Sequence, residues 1–158
     1  MHFETRNAPS IRMTQVAPQR ILGLRRRVLG RDELAGDEDR TTWHFAAYSL
    51  DNDGRASGEA IGCVTYMFKP LEQELAWRLN ALGVDPSFRG HRIGLKLLQW
   101  TEKIVAEESL VEAPMVRLFW CEARKKAIST YEMNGWACVS DFFEKPGFGL
   151  YRRMTKNF

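Results

Sequence analysis

The segment from Leu75 to Glu108 constrains the fold more than any other part of this chain. An apolar run over 75–84 is followed by Asp85-Pro86, and the proline ends a strand because it has no backbone donor. A short basic loop with glycines comes next, and from His91 to Glu108 apolar residues recur at helical spacing. The segment therefore predicts a strand, a tight loop and an amphipathic helix in succession, which is a building unit of α/β folds.

Strand and helix patterns cover the rest of the chain. Strands are predicted at 10–16, 43–50, 60–68, 75–84, 115–121, 136–143 and 148–155, and helices at about 21–29, 91–108 and 124–133. The polar segment 51–58 indicates a β-hairpin, and 31–40 is predicted as a loop or short polar helix that borders a substrate cleft. The order β-α-β-β-β-α-β-α-β-β predicts an α/β fold with a mixed sheet of about six or seven strands. At this length we expect a single domain over 1–158.

Composition and charge exclude several classes of protein. With 44% hydrophobic and 27% charged residues, the chain resembles folded globular proteins and not disordered ones. The formal net charge is only +3, so nucleic acid is an unlikely partner, and the arginine cluster over 25–31 is interpreted as a solvated helix face. No segment has the apolar length of a membrane span or a signal peptide, and we expect a cytoplasmic protein without a membrane partner.

The cysteines and other potential ligands favour neither disulfides nor a metal. Cys63, Cys121 and Cys138 are odd in number and widely spaced among apolar residues, which indicates buried thiols. No group of histidines, cysteines and carboxylates has metal-ligand spacing, so we expect no metal.

The loop between Val84 and Gly94 is a candidate anion site. It reads VDPSFRGHRIG and places basic and small residues between a strand end and a helix start. Unpaired backbone N–H groups and the helix dipole favour an anion there, by about 0.3–1 kcal/mol from the dipole alone. Neither the Walker nor the Rossmann glycine pattern is present. Taken alone, the segment is equally compatible with a structural turn that carries exposed arginines.

Two segments together resemble the GNAT superfamily of acetyltransferases. The loop is similar to the family's Q/R-x-x-G-x-G/A pattern after a strand ending in V-x-P, with Arg89 in its first position and Gly94 in its last. Arg92 replaces the usual glycine and is expected to adopt a compatible helical conformation. The second segment, 122–136, resembles N-A-R-x-x-A-I-x-F-Y-x-x-x-G-F. Glu122, Thr130 and Trp136 are its departures. The resemblance extends from about residue 10 to residue 156.

This resemblance implies an enzyme that transfers the acetyl group of acetyl-coenzyme A directly to an amine in a ternary complex. The pantetheine arm would enter where two strands separate. Tyr131 is the expected general acid for the leaving thiol, although its helical spacing from Ala127 and Ile128 also suits a core aromatic residue. The implied coenzyme-binding residues are Leu82, Val84, Arg89, Gly90, Arg92, Ile93, Gly94, Arg124 and Ala127.

The general base and the acceptor remain open. An alkylammonium group with a pKa of about 10.4 is neutral in only about one part in 2,500 at pH 7, so a base is expected. Glu74 and His44 are the candidates for the general base, with Glu72, Glu122 and ordered water as alternatives. The acceptor is a small-molecule amine or a protein or peptide amine, and the chain is a possible homodimer. Two other functions remain: a non-catalytic acyl-coenzyme A binding or sensing domain, and a nucleic-acid or ribosome-associated module.

Overall fold

A computed structural model describes residues 9–31 and 33–158 of the 158-residue chain. The described residues form eight strands and three α-helices, with short 3-10 turns at Pro18–Arg20, Pro86–Phe88 and Lys125–Ala127. In chain order the elements are β1 (Ile11–Val16), α1 (Leu22–Leu29), β2 (Trp43–Ser49), β3 (Gly62–Phe68), β4 (Trp77–Val84), α2 (Ile93–Glu112), β5 (Leu118–Arg124), α3 (Ile128–Met133), β6 (Ala137–Cys138), β7 (Phe143–Lys145) and β8 (Gly149–Asn157).

All eight strands belong to one mixed sheet in the order β1-β2-β3-β4-β5-β8-β6, with β7 also paired to β8. Neighbouring strands are antiparallel except β4 and β5, which are parallel. The α/β class, the mixed sheet and the β2–β3 hairpin predicted from the sequence are confirmed. The sheet has one strand more than predicted.

The extra strand arises because the predicted strand 136–143 is divided into β6 and β7. Cys138 pairs with Met154, and Phe143 pairs with Tyr151. Five residue intervals along the β6–β7 segment therefore correspond to three along β8. The surplus residues loop out of the ladder. Ser140 holds this loop, since its hydroxyl oxygen accepts a hydrogen bond from the backbone N–H of residue 153. A period-two pattern cannot show such an interruption.

Two predicted boundaries near the centre of the chain were also wrong. The strand predicted at 115–121 runs from Leu118 to Arg124, and Met115 lies in the preceding turn with 82% of its surface exposed. Pairing with β8 continues through Glu122 and Arg124, so residues assigned to the next helix extend the strand. The third helix is correspondingly shorter and begins at Ile128.

The two faces of the sheet are covered by different helices. The larger apolar cluster joins α2 and α3 to one face through buried residues such as Leu97, Leu98 and Ile128. On the opposite face, Leu24 of α1 packs against Ala46 and Cys63. The candidate site lies between β4 and β5, where polar residues such as Arg78 and Glu122 meet Tyr131 of the larger apolar cluster.

The interpretation of the arginine cluster as a solvated face was wrong for Arg25. Its side chain is fully buried, and its guanidinium donates to Asp37 at 2.7 Å and to the Thr65 hydroxyl at 2.5 Å. Arg26 and Arg27, by contrast, are exposed. The buried ion pair ties the segment after α1 to the sheet, because Asp37 lies in that segment and Thr65 lies in β3.

In the described part of the chain, none of the helices combines the length and the apolar character needed to cross a lipid bilayer. Among the same residues, no three His, Cys, Asp or Glu side chains lie close enough to share a metal ion.

Candidate active site

A cavity opens where β4 and β5 separate. The two strands are paired only at Trp77 with Phe119 and at Arg78 with Trp120, and beyond this point they diverge. The cavity has a volume of about 70 Å³ and lies between the second half of β4, the end of β5, α3 and the β7–β8 hairpin. Parallel strands that part in this way leave backbone N–H and C=O groups without a ladder partner, so a ligand can pair with them.

A bulge in β4 directs the strand away from β5. Cys63 pairs with Gly83 but Thr65 pairs with Asn80, so one extra residue is present on the β4 side. Ala81 lies in this bulge with a φ of 56°, in the left-handed region, and its carbonyl accepts a hydrogen bond from the Cys63 thiol at 3.4 Å. Bulges bend a strand and re-aim its backbone groups. This one exposes the backbone at 80–82 to the cavity.

A groove of about 320 Å³ leads from the basic loop into the cavity. Arg89 and Val84 line its outer part. Four residues line both the groove and the cavity, so the two spaces adjoin: Leu29, Leu82, Arg124 and Ala127. The fold therefore brings together five of the nine residues proposed for coenzyme binding along one channel.

The remaining four, Gly90, Arg92, Ile93 and Gly94, form the loop and the first turn of α2 beside Arg89. Arg92 precedes the helix with φ 56° and ψ 30°, so it adopts the left-handed conformation that glycine adopts at low cost and not the right-handed helical one. No side chain within the described residues caps this helix, and its first turn contains no acidic residue. The amide groups that begin α2 are thus available to an anion.

Gly94 is not required by the packing of the protein itself. A Cβ atom built at this position would lie 3.6 Å from a methyl group of Val84, which is an ordinary van der Waals contact. Alanine therefore fits here, whereas a long acidic side chain would place a carboxylate at the helix start.

Asp85 fixes the entry to the loop. Its carboxylate accepts hydrogen bonds from the Ser87 amide at 3.0 Å and from the Ser87 hydroxyl at 2.6 Å. Arg27 of α1 donates to the same carboxylate at 2.8 Å. These hydrogen bonds lower the pKa of Asp85 to about 2. The carboxylate is consequently ionised at neutral pH and holds the turn Pro86–Phe88 against α1.

Tyr131 lies at the inner end of the cavity. Its ring is buried and meets the Trp136 ring edge-on, with 5.1 Å between centroids. Burial raises the pKa of Tyr131 well above its usual range, so the phenol keeps its proton at physiological pH. Tyr131 is therefore both a core aromatic residue and a residue that lines the cavity, and the two interpretations of its position are compatible.

Glu74 and His44 lie apart from Tyr131. Glu74 is exposed in the β3–β4 turn, at the opposite end of β4 from the cavity. His44 is buried in β2, where its ring nitrogens lie 2.9 Å from the Thr65 hydroxyl and 2.9 Å from the Asp37 carbonyl. Burial lowers the pKa of His44, so the ring is neutral at pH 7. Neither residue is among those that line the cavity.

Glu122 does line the cavity, on the wall formed by β5. It forms ion pairs with Lys145 and, at 3.8 Å, with Arg78. Burial opposes ionisation of Glu122, but the hydrogen bond and charge of Lys145 and the charge of Arg78 outweigh it and lower the pKa. Arg78, Asn80 and Lys145 were missed in the sequence. Alternation of polar and apolar residues in β4 is the only signal that pointed to the first two.

Comparison with known proteins identifies the family of this chain. A family model described as "Acetyltransferase (GNAT) domain" matches residues 43–138. The chain is 29% identical over 94 residues to the uncharacterized N-acetyltransferase YitI of Bacillus subtilis, a match that covers 56% of this chain and 59% of that protein. The chain thus matches less than two thirds of the length of this curated relative.

Solved structures share the fold at low sequence identity. The Arabidopsis thaliana NAA60 structure in complex with acetyl-CoA has a TM-score of 0.69 at 15% identity, covering 94% of this chain and 99% of that one. An aminoglycoside 6'-N-acetyltransferase complexed with coenzyme A has a TM-score of 0.65 at 14% identity, covering 92% and 96%. Because the family model spans more than half of the residues, from β2 to β6, this chain belongs to the GNAT acetyltransferase family.

Proposed function

We propose that this protein transfers the acetyl group of acetyl-coenzyme A to an amine acceptor by direct attack in a ternary complex. The observation that carries the proposal is the adjoining groove and cavity, which extend from Arg89, in the loop before the uncapped start of α2, to the buried Tyr131. Two structures of the same fold, NAA60 and the aminoglycoside acetyltransferase, contain acetyl-CoA or coenzyme A. A channel with a basic anion site at one end and a proton donor at the other suits that coenzyme.

The first turn of α2 would hold the pyrophosphate. Its amides at Ile93 and Gly94 are unpaired by helix geometry, and the helix dipole favours negative charge there. Arg89 and Arg92 add positive charge beside the same turn. The 20-residue length of α2 supports a full macrodipole, and the absence of acidic residues in its first turn leaves the dipole uncompensated.

The pantetheine arm would lie along the groove between β4 and the end of β5. Beyond Arg78, no β5 residue pairs with the described part of β4, so backbone groups near Leu82 and Val84 can bond the amides of the arm. Arg124 forms the opposite wall and is held there because its guanidinium donates to the Leu29 carbonyl at 2.8 Å. The thioester, which supplies the activated acetyl group, then reaches the cavity.

Chemistry in the cavity requires a donor for the leaving sulfur and for the oxyanion. As the amine nitrogen bonds to the carbonyl carbon, the C–S bond breaks and the sulfur gains negative charge. The Tyr131 hydroxyl would donate a hydrogen bond to that sulfur, and its raised pKa ensures that it is protonated. A backbone N–H of the β4 bulge would stabilise the carbonyl oxygen.

The acceptor must react as a neutral amine, and the cavity offers a physical means to that end. Glu122 is a poor base because its pKa is lowered. Among the described residues, four cations line the same space, Arg31, Arg78, Arg124 and Lys145, and like charge nearby disfavours an ammonium ion. Deprotonation of an alkylammonium group at pH 7 costs about 4.6 kcal/mol, and this environment lowers that cost. Water would carry the proton away.

Calorimetric titration with coenzyme A tests the coenzyme assignment. We expect wild type and Gly94→Ala to bind, because the methyl group fits, and Gly94→Glu to lose binding, because its carboxylate competes for the helix start. Melting temperatures of the unliganded proteins control for folding. Equal binding by Gly94→Glu and wild type would reject the anion site.

Release of coenzyme A thiol from acetyl-coenzyme A across an amine panel tests the transfer itself. We expect amine-dependent turnover with at least one acceptor. Tight coenzyme binding with no acceptor-dependent release would instead support the alternative of an acyl-coenzyme A binding domain.

A further inference from the structure

We propose that the acceptor is a small amine that also carries a carboxylate group, recognised by Arg31 and Arg78 in the cavity between β4 and β5. The inference rests on the proposed function, since it concerns the acceptor of that reaction.

Positive charge predominates in the cavity lining. Among residues 9–31 and 33–158, four cationic residues and one carboxylate, Glu122, contribute to it. Of the cations, Arg124 is engaged with the Leu29 carbonyl and Lys145 is paired with Glu122. Within the described part of the chain, Arg31 has no ion-pair partner and Arg78 lies 3.8 Å from a carboxylate that is already paired with Lys145, so these two arginines carry the excess positive charge.

The guanidinium of Arg78 has N–H donors that are not hydrogen-bonded within the described part of the chain. Its guanidinium is stacked on Trp120 at 4.7 Å from the ring centre and reaches Glu122 only at 3.8 Å. Its Nε atom is buried and has no hydrogen-bond partner in the described part of the chain. Because this atom has almost no accessible surface, a ligand in the cavity would bind the other N–H donors of the guanidinium. A carboxylate supplies two oxygens in the planar arrangement that a guanidinium matches.

Arg31 closes the cavity from the other side. Its guanidinium lies 4.3 Å from the centre of the Phe148 ring, so the segment after α1 contacts the β7–β8 hairpin. Stacking uses the face of the guanidinium and leaves the N–H groups at its edge free to bind. Within residues 9–31 and 33–158, Arg31 has no ion-pair partner.

Glu122 does not make the cavity a site for a second ammonium group. Lys145 is its close partner and neutralises it, so an incoming cation would have to displace Lys145. The small cavity volume, about 70 Å³, also favours a free amino-carboxylate over a bulky polyamine. An acceptor with one amine and one carboxylate places its anion at the arginines and its nitrogen toward Tyr131.

Calorimetry on the full-length protein saturated with coenzyme A tests this inference through matched ligand pairs. Alanine against alaninamide isolates an α-carboxylate, and aspartate against asparagine isolates a side-chain carboxylate. We expect the carboxylate member of at least one pair to bind about tenfold to a hundredfold more tightly, as charge-assisted hydrogen bonds do. Equal or weaker binding by both carboxylate members would overturn the inference.

Two variants locate the recognition. Arg31→Gln and Arg78→Gln should each reduce the preference for the carboxylate toward unity, whereas Arg55→Gln, at an exposed arginine in the β2–β3 turn, should leave it unchanged. Arg31 is at the surface end of the cavity, so its variant is informative even if loss of Arg78 impairs folding. A preference that survives removal of Arg31 overturns the assignment.

The ligand pairs also separate this inference from the proposed function. Binding is measured without turnover, so a protein that prefers carboxylates but never releases coenzyme A would contradict only the transferase proposal. A protein that acetylates amines and amides without preference would contradict only the inference about the carboxylate.

Discussion

Arg78 and Trp120 form the last parallel bridge between β4 and β5, and the Arg78 guanidinium lies 4.7 Å from the centre of the Trp120 ring. The indole N–H of Trp120 donates to the Lys69 carbonyl at 2.9 Å, which fixes the ring. The guanidinium is thus held over the indole ring at the point where the strands part. One pair of residues therefore ends the strand pairing and supplies positive charge to the cavity that begins there.

The left-handed backbone at Arg92 predicts a gain in stability on substitution by glycine. A non-glycine residue at this φ of 56° costs about 1–2 kcal/mol relative to glycine. We expect Arg92→Gly to unfold in urea with a free energy about 1 kcal/mol higher than that of Arg92→Ala. Both variants lack the charge, so both should bind coenzyme A more weakly than wild type. Equal stability of the two variants would contradict the inference that the backbone of Arg92 is strained.

Periodicity was sufficient to predict α2 and the β2–β3 hairpin, but not the bounds of β5 and α3 or the division into β6 and β7. The apolar stripe of α2, with Ile93, Leu97 and Val105 buried, follows directly from residues three and four apart. The β2–β3 hairpin and the loop at the start of α2 were likewise readable, because each signal is contained in a short continuous segment.

Buried charges could not be predicted, because their partners are distant in sequence. Glu102 lies on the buried side of α2, where it accepts hydrogen bonds from Trp136 and Asn134 and pairs with Lys156 at 2.9 Å. Arg25 is buried for the same reason, through Asp37 and Thr65. A helical wheel shows only that positions 25 and 102 are polar. The groups that satisfy these two side chains are brought to them by the folded sheet.

The lowered pKa of Asp85 predicts that the protein loses stability in acid. Its pKa is about 2 in the folded protein against 3.8 for an ordinary aspartate, so the ionised form favours the folded state. This contribution is complete above about pH 4 and is lost as the pH falls toward 2. We expect Asp85→Asn to be less stable than wild type at pH 7, with the difference in free energy of unfolding shrinking between pH 4 and 2. A difference independent of pH would contradict this role.

The three cysteines are predicted to react at different rates. Cys63 and Cys121 are buried, and burial raises the pKa of the Cys63 thiol to about 12 and also raises that of Cys121. Cys138 is partly accessible. With a thiol reagent such as DTNB, we expect one fast equivalent from the native protein and three after denaturation. Cys138→Ser should abolish the fast reaction, and a fast equivalent that persists would contradict the burial of the other two.

The role of Tyr131 can be separated from its packing by comparing it with a second buried tyrosine. Tyr131 lines the cavity, whereas the Tyr66 hydroxyl lies 2.8 Å from the Thr101 hydroxyl inside the core. Tyr131→Phe keeps the ring contact with Trp136 and removes only the hydroxyl. If that hydroxyl donates to the leaving sulfur, kcat should fall by about 10²–10⁴ with coenzyme A affinity nearly unchanged. Loss of its hydrogen bond with the Cys121 thiol should lower stability about as much as Tyr66→Phe does.

Tyr66→Phe is the matched control, because it removes a phenol hydroxyl that has a protein partner and no access to the cavity lining. We expect it to lower the free energy of unfolding by about 1 kcal/mol and to leave kcat within about twofold of wild type, since a lost neutral hydrogen bond affects stability and not the reaction. Steady-state kinetics with a responsive acceptor and thermal unfolding measure both effects. Near-normal turnover by Tyr131→Phe would assign Tyr131 to the core alone, and equal losses of turnover in the two variants would attribute the effect to packing.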